Sequence, residues 1–511
     1  MNCLKFALCV AVFSLFAQAN PAIAQVTPEL RTPPAPETPR INGPVIYGAR
    51  PGHPFLYRIP CTGVRPMRFS VKRLPSSLTL DPHSGIISGI APQRRGSYRL
   101  TLVAANKLGK TSRAFTLLIG DTLGLTPQMG WNDWYTHYAH PTDRDIRTAA
   151  DAMVSSGMAD YGYQFIDIDD AWARKPNSDV PDLMGPPRSL NGSILPNARF
   201  PDMKALTDYI HAHGLKAGIY SSPGPLTCAR FEGSYGHEAA DAQQFSQWGF
   251  DLLKYDLCSY SKFLKDHSQS ELQKPYIKMG KILRNLDRDV VFNLCEYGLG
   301  DVWTWGKSVG GSSWRTTGDL GWVKGTNLPG FYSVGFANAA LDAYAGPGGW
   351  NDPDYILIGT VGDARKANLP PQPTSLTPAE QYSYMSMWSL MASPLFFSGD
   401  MSKLDAFTLN ILDNSEVIDV DQDPLGRQAK VLRHTPQELV LVKPMADGSK
   451  AIGLFNLSSD PHTITLDWKD IGLSGTVKVR DVWRQRDLGA FKDRFTSLVP
   501  THDVALIRIA K

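Results

Sequence analysis

Three rhythms of apolar and polar positions follow one another along the chain. Between residues 45 and 120 the alternating runs RFSVKRL, LTLDPHSGIISGI and YRLTLVAANKLGKTSRAFTLLI are joined by Asp-Pro-His-Ser-Gly and Asn-Lys-Leu-Gly, the turn chemistry of hairpins. They predict a small β-sandwich. From 121 to 420 the apolar runs YQFIDI, LKAGIYS, FDLLKY, VVFNLCE and SSWRTTG, and less plainly PQMGW, AGPGGW and SPLFFSG, are separated by amphipathic stretches. In DIRTAADAMVSSGM and PDMKALTDYIHAHG, for example, apolar residues return every third or fourth position. About eight such β/α units predict a (β/α)₈ barrel. From 421 to 511 the strand patterns VLVKP, AIGLFNL, HTITLDW, TVKVRDVW and VALIRIA predict a C-terminal antiparallel β-sandwich. The expected class is α/β, a barrel flanked by two β domains.

The N-terminus adds two segments. Residues 1–24 carry Lys5, an apolar run from Phe6 to Phe16, and Ala22-Ile23-Ala24, the pattern of a signal peptide cleaved after Ala24. An exported protein, periplasmic or extracellular, is the expectation. Residues 25–44 hold prolines at 28, 33, 34, 36, 39 and 44 and read as a semi-rigid tether. No later run is long and apolar enough to predict a membrane span. A net charge of +3 over 511 residues gives no reason to expect a nucleic-acid partner. Cys3 and Cys9 fall in the leader, leaving Cys61, Cys228, Cys258 and Cys295, enough for one bridge but not for a disulfide scaffold.

Barrel enzymes place their chemistry at the C-terminal ends of the strands. There the chain offers Trp131, Asn132 and Trp134; Asp167, Asp169 and Asp170; Tyr220; Lys254 and Asp256; Cys295 and Glu296; Arg315 and Asp319; and Trp350, Asp352 and Asp354. Strand alternation sends Lys254 and Asp256 inward together and turns Leu253 and Tyr255 to the helices. A fixed ammonium favours the ionised carboxylate that a nucleophile needs; the same Lys-x-Asp is also a plain ion pair closing a strand. Asp167, Asp169 and Asp170 could form a metal cluster, but His211 and His213 lack ligand spacing. Aromatic rings beside many acceptors, Trp131, Trp134, Trp172, Tyr220 and Trp350, suit a sugar.

MGWNDWYTHY, FIDIDDAW, LKAGIYS, LLKYD-x-C, LCEYG, WRTTGDL, AGPGGWNDPD and NSEVIDVDQDPLG occur in this order and resemble glycoside hydrolase family 27, the α-galactosidases and α-N-acetylgalactosaminidases. The resemblance covers residues 125–511; the preceding sandwich resembles the immunoglobulin-like modules appended to bacterial secreted glycosidases. It implies a retaining glycosidase acting on terminal α-linked galactose without cofactor or metal, with Asp256 as nucleophile and Asp319 as general acid/base. It implies sugar contacts by Trp134, Asp169, Asp170, Tyr220, Lys254, Cys258, Glu296, Arg315 and Asp354, with Arg315 touching the sugar rather than simply pairing with the acid. A raised pKa at Asp319 and a Cys228–Cys258 bridge are also implied. Glu296 is the galactosidase form of its motif, and Asp170 favours galactose over a β-L-arabinopyranoside. Where many relatives have a second bridge, Ala139 and Ala171 stand here. A galactose-binding protein without turnover is the competing reading from another class.

Overall fold

A computed structural model describes residues 28–325, 327–363 and 369–510; the expected leader lies outside the described residues. The barrel strands are β1 (Met129–Asn132), β2 (Phe165–Ile168), β3 (Lys216–Ser221), β4 (Leu252–Asp256), β5 (Val291–Cys295), β6 (Ser313–Arg315), β7 (Trp350–Asp352) and β8 (Leu395–Phe397). Adjacent strands pair in parallel from β1 through to β7, and β8 pairs with β1. A parallel bridge between Ile356, just past β7, and Phe397 of β8 closes the ring. All eight expected strands are present. The seventh starts only at the Trp of AGPGGW, because Gly346 pairs with Gly349 and Gly348 sits at φ +82°, which makes the preceding glycines a turn.

The helices start where their caps dictate. Asp143–Ser155 opens with a capping box between Thr142 and Asp145, and Met203–Ala212 with the Asp202 side chain accepting from the amide of Ala205. Their apolar stripes, Ile146, Ala149, Ala150 and Met153 in one and Met203, Leu206 and Ile210 in the other, bury in one core with Leu253 and Tyr255. So β4 turns those two residues outward to the helices, as alternation predicts.

The N-terminal domain packs a four-stranded sheet and a three-stranded sheet around Tyr57, Phe69, Leu102, Phe115 and Leu117. Its long hairpin turns at Asn106, whose Oδ1 accepts from the amides of Leu108 and Gly109. The C-terminal domain is antiparallel, six strands against two, around Ile452, Leu466, Trp468 and Val479. Among its strands, Arg486–Lys492 is mostly exposed, and periodicity alone does not mark it.

The N-terminal domain sits on the barrel end opposite the C-terminal strand ends. Barrel helices run antiparallel to the strands, so their C-termini, with unsatisfied carbonyls and partial negative charge, collect at this base. Arg50 donates to the carbonyls of Leu283 and Arg284 at 3.2 and 3.0 Å, capping helix Gln269–Arg284, and pairs with Asp289 at 3.3 Å. Arg58 donates to the His213 carbonyl, which ends Met203–Ala212. Arg50→Ala is expected to destabilise the protein by about 1–3 kcal/mol, the worth of losing buried charged hydrogen bonds. Turnover below the transition should be unchanged; a melting midpoint equal to wild type would count against the docking account.

The start of the proline-rich segment is bonded to the rest of the protein rather than hanging free. Arg31 pairs with Asp503 at 2.5 Å and lies 4.2 Å over the Tyr382 ring, Glu29 pairs with Arg484 at 2.8 Å, and Thr32 donates to Asn410. It straps the C-terminal sandwich to the barrel.

Candidate active site

At the C-terminal rim a cavity of about 320 Å³ opens. Of the strand-end residues named above, Trp134, Asp169, Tyr220, Lys254, Asp256, Arg315, Asp319 and Asp354 reach it. A larger cleft of about 660 Å³ lies under the N-terminal domain. Its carboxylates are already taken, Asp251 by His211 at 2.8 Å and Asp289 by Arg50 and His53.

Lys254 is buried, and its ammonium bonds to Asp169 at 2.7 Å, not to Asp256. The ion pair expected within the Lys-x-Asp motif is therefore made across strands. The same Asp169 oxygen accepts from Asn132 at 2.9 Å and Tyr355 at 3.1 Å, and the other from the amide of Asp170. Asp256 is held by phenols: Tyr297 donates to Oδ1 at 2.5 Å and Tyr220 to Oδ2 at 3.1 Å. Burial raises the Asp256 carboxyl to about 6, against the opposing field of Lys254 and the Tyr297 hydrogen bond. Alone, the neighbouring ammonium does not keep this acid in the usual carboxylate range.

Arg315 is fully buried and forks between two acids, reaching Asp319 at 3.2 Å and Asp354 at 3.1 Å. The expectation that it does more than pair with the acid meets a guanidinium already bonded to two carboxylates. Asp354 stands at φ +83° and also accepts from the amide of Leu320 at 2.7 Å and from Tyr135 at 3.1 Å. Burial raises its pKa, opposed by Arg315. Asp319 is the more open of the two proposed acids, with its side chain 31% exposed.

Three expected sugar contacts are not in the cavity wall. Asp170 accepts from the amides of Ala171 and Ala229, and burial pushes its carboxyl up to about 7. Glu296 is wholly buried, takes one long bond from the Gly298 amide, and is raised by burial. Asp170 and Glu296 both lie past the last residue of their strand, β2 ending at Ile168 and β5 at Cys295, so the turn that follows each strand, and not strand alternation, sets their direction. Cys258 is bonded to Cys228, and it is Cys228 that lines the cavity, while Cys258 Sγ lies 3.1 Å from the Tyr220 hydroxyl. Asp169 and Asp170 thus face different surroundings, one bonded to Lys254 and the other to backbone amides.

Tyr135, Tyr297 and Tyr355 also line the cavity, and the strand-end reading passes over all three. Each directly follows a residue it does name, Trp134, Glu296 or Asp354; a ring beside an apolar run reads as core. Ala139 and Ala171 lie in one small apolar cluster with Leu183, Phe231 and Ala229, so that position is closed by packing. The stretch LMGPPRSLNGS, residues 183–193, is anchored by Arg188, which pairs with Glu232 at 2.6 Å and Asp241 at 2.7 Å.

Residues 126–423 match the family model described as alpha galactosidase A, and 439–509 match the alpha galactosidase C-terminal beta sandwich domain. Residues 38–120 match an Ig domain model. The chain is 38% identical over 385 residues to the alpha-galactosidase of Cyamopsis tetragonoloba, covering 74% of this chain and 85% of that one. It is 36% identical over 430 residues to the alpha-galactosidase of Oryza sativa subsp. japonica, covering 83% and 92%. A crystal structure from Bacteroides fragilis, provisionally described as an alpha-galactosidase/melibiase, matches with TM-score 0.85 and 37% identity. It covers 94% of this chain and all of that one, so the alignment takes in more than the barrel.

Proposed function

The chain belongs to the alpha galactosidase A family, glycoside hydrolase family 27, and from that premise we propose a double-displacement mechanism for its hydrolysis of terminal α-linked galactosides, run by Asp256 and Asp319. One observation carries the proposal: both carboxylates line a single cavity, one gripped by two phenols and the other partly open to solvent beside Arg315.

In the first step an Asp256 oxygen bonds to the anomeric carbon as the glycosidic carbon–oxygen bond breaks, and Asp319 gives its proton to the departing oxygen. In the second, Asp319 takes a proton from water, the water oxygen bonds to the anomeric carbon, and the bond to Asp256 breaks. Two inversions return the starting configuration. Lys254, Asp169 and Asp354 supply fixed charges around the ring hydroxyls; charged acceptors bond these strongly and reject analogues that lack them.

Proton NMR during hydrolysis of nitrophenyl α-galactoside should show α-galactose first; the β anomer appearing first would rule out retention. On a panel with the α-N-acetylgalactosaminide and the β-L-arabinopyranoside, the galactoside should have the highest kcat/KM, and a higher value for either competitor would reassign the substrate.

The pH dependence follows from Asp256. Burial raises its carboxyl to about 6, and the nucleophile must be ionised, so kcat/KM should fall as pH drops through that value. A profile that stays flat well below it would sink the assignment. Export to an oxidising compartment belongs to the same proposal, supported by the Cys228–Cys258 bond beside the cavity; fractionation should find activity outside the cytoplasm.

A further inference from the structure

Tyr297 stands where no regular element places it. It follows β5 at φ +66°, a left-handed conformation that is uncommon outside glycine and needs support from its surroundings. Gly298, next in the chain, is at φ +83°, and a Cβ there would lie 2.3 Å from the Thr316 carbonyl, so the turn is pressed against the loop that leads to Asp319. This backbone delivers the Tyr297 hydroxyl to Asp256 Oδ1 at 2.5 Å and leaves it 3.4 Å from Cys228 Sγ. Tyr220 mirrors it, donating to Oδ2 while lying 3.1 Å from Cys258 Sγ. Each half of the disulfide therefore backs one phenol, and each phenol holds one oxygen of the same carboxylate.

We propose that Tyr297 is a further catalytic residue, a fixed donor that keeps Asp256 ionised and aimed, and that stabilises its charge again as the glycosyl–enzyme bond breaks. The inference rests on Asp256 being the nucleophile. Two effects of such a donor oppose each other. It lowers the intrinsic nucleophilicity of the oxygen it bonds, and it favours the ionised form, without which no attack occurs. In a site where burial disfavours the charge, the second effect outweighs the first. The donor also acts unequally on the two steps. Charge leaves the carboxylate during attack and returns to it when water displaces the sugar, so the hydrogen bond assists the second step most.

Tyr297→Phe removes one oxygen and keeps the ring, so the fold should hold. On nitrophenyl α-galactoside the acidic limb of the kcat/KM profile should move up by about one pH unit. The plateau of kcat, which includes the second displacement, should fall about 10- to 100-fold, the worth of one hydrogen bond to a charged group. A limb that stays in place overturns the proposal, whatever happens to the rate, because a merely structural tyrosine would leave the ionisation of Asp256 unmoved. Asp256→Asn, measured beside it, separates the two levels. If that variant still turns over, the nucleophile is wrong; if it is dead while Tyr297→Phe keeps the wild-type profile, only the role of Tyr297 fails.

Discussion

Asp256→Asn is expected to lower turnover of every galactoside by roughly 10⁴-fold or more, the scale on which removal of a catalytic nucleophile acts. The change is nearly isosteric, and the carboxamide oxygen it introduces can still accept from one of the two phenols. The fold should survive, so the loss would report chemistry. An amide nitrogen will not form the glycosyl ester, and no other carboxylate in the cavity is free to substitute: Asp169 is bound to Lys254, and Asp319 and Asp354 share Arg315. Because the amide cannot leave as a carboxylate either, both displacement steps are blocked. Initial rates on nitrophenyl α-galactoside check this, and residual activity above about one per cent of wild type would remove Asp256 from its role. Asp319→Asn should behave differently. It should slow substrates with poor leaving groups far more than activated aryl galactosides, because only the former depend on a delivered proton.

The second large effect is on stability and activity together. Lys254→Met should leave Asp169, which is 2% exposed, as a buried charge without its cation. Breaking a buried pair by removing one partner costs about 3–5 kcal/mol. Asn132 and Tyr355 still donate to Asp169, which places the expectation toward the lower end of that range. The loss is read as a drop in the barrel's melting midpoint. Adding Asp169→Asn should recover much of the stability, since the orphaned charge is gone, but not the activity. Activity should fall because the field of Lys254 is the largest influence opposing burial at Asp256, so without it the nucleophile is protonated up to a higher pH. A single mutant that melts with wild type would show that the lysine–aspartate bond carries no weight.

Much of the site is legible before any coordinates. Asp256, Asp319, Lys254, Tyr220 and Asp354 stand at strand ends in the linear pattern, and all five reach one cavity. The reason is geometric: in a parallel barrel every strand points its C-terminus to the same rim, so listing strand ends lists the rim. Asp170 and Glu296 show where that rule stops. Being at a strand end fixes height along the barrel axis, but past Ile168 and Cys295 the turn fixes direction, and neither side chain is among those lining the cavity. Tyr297 shows the converse. Its direction comes from a left-handed turn that neither periodicity nor propensity marks, so a ring that reads as core is brought to the nucleophile.

The N-terminal segments follow the same division. Alternation and Asn-Lys-Leu-Gly suffice to predict the sandwich and its hairpin. That Arg50 and Arg58 would cap barrel helices depends on which barrel face the sandwich covers, and nothing local to those arginines encodes that.

By itself the chain settled the order of domains, the eight β/α units, and the acids, the lysine and the arginine at the strand ends, because each follows from spacing along one strand or helix. Only the folded barrel decided that Lys254 answers to Asp169, 85 residues away, and that two tyrosines hold Asp256. Charges choose partners by distance in space, and that distance is set by how neighbouring strands are staggered around the ring, which no short stretch of residues contains.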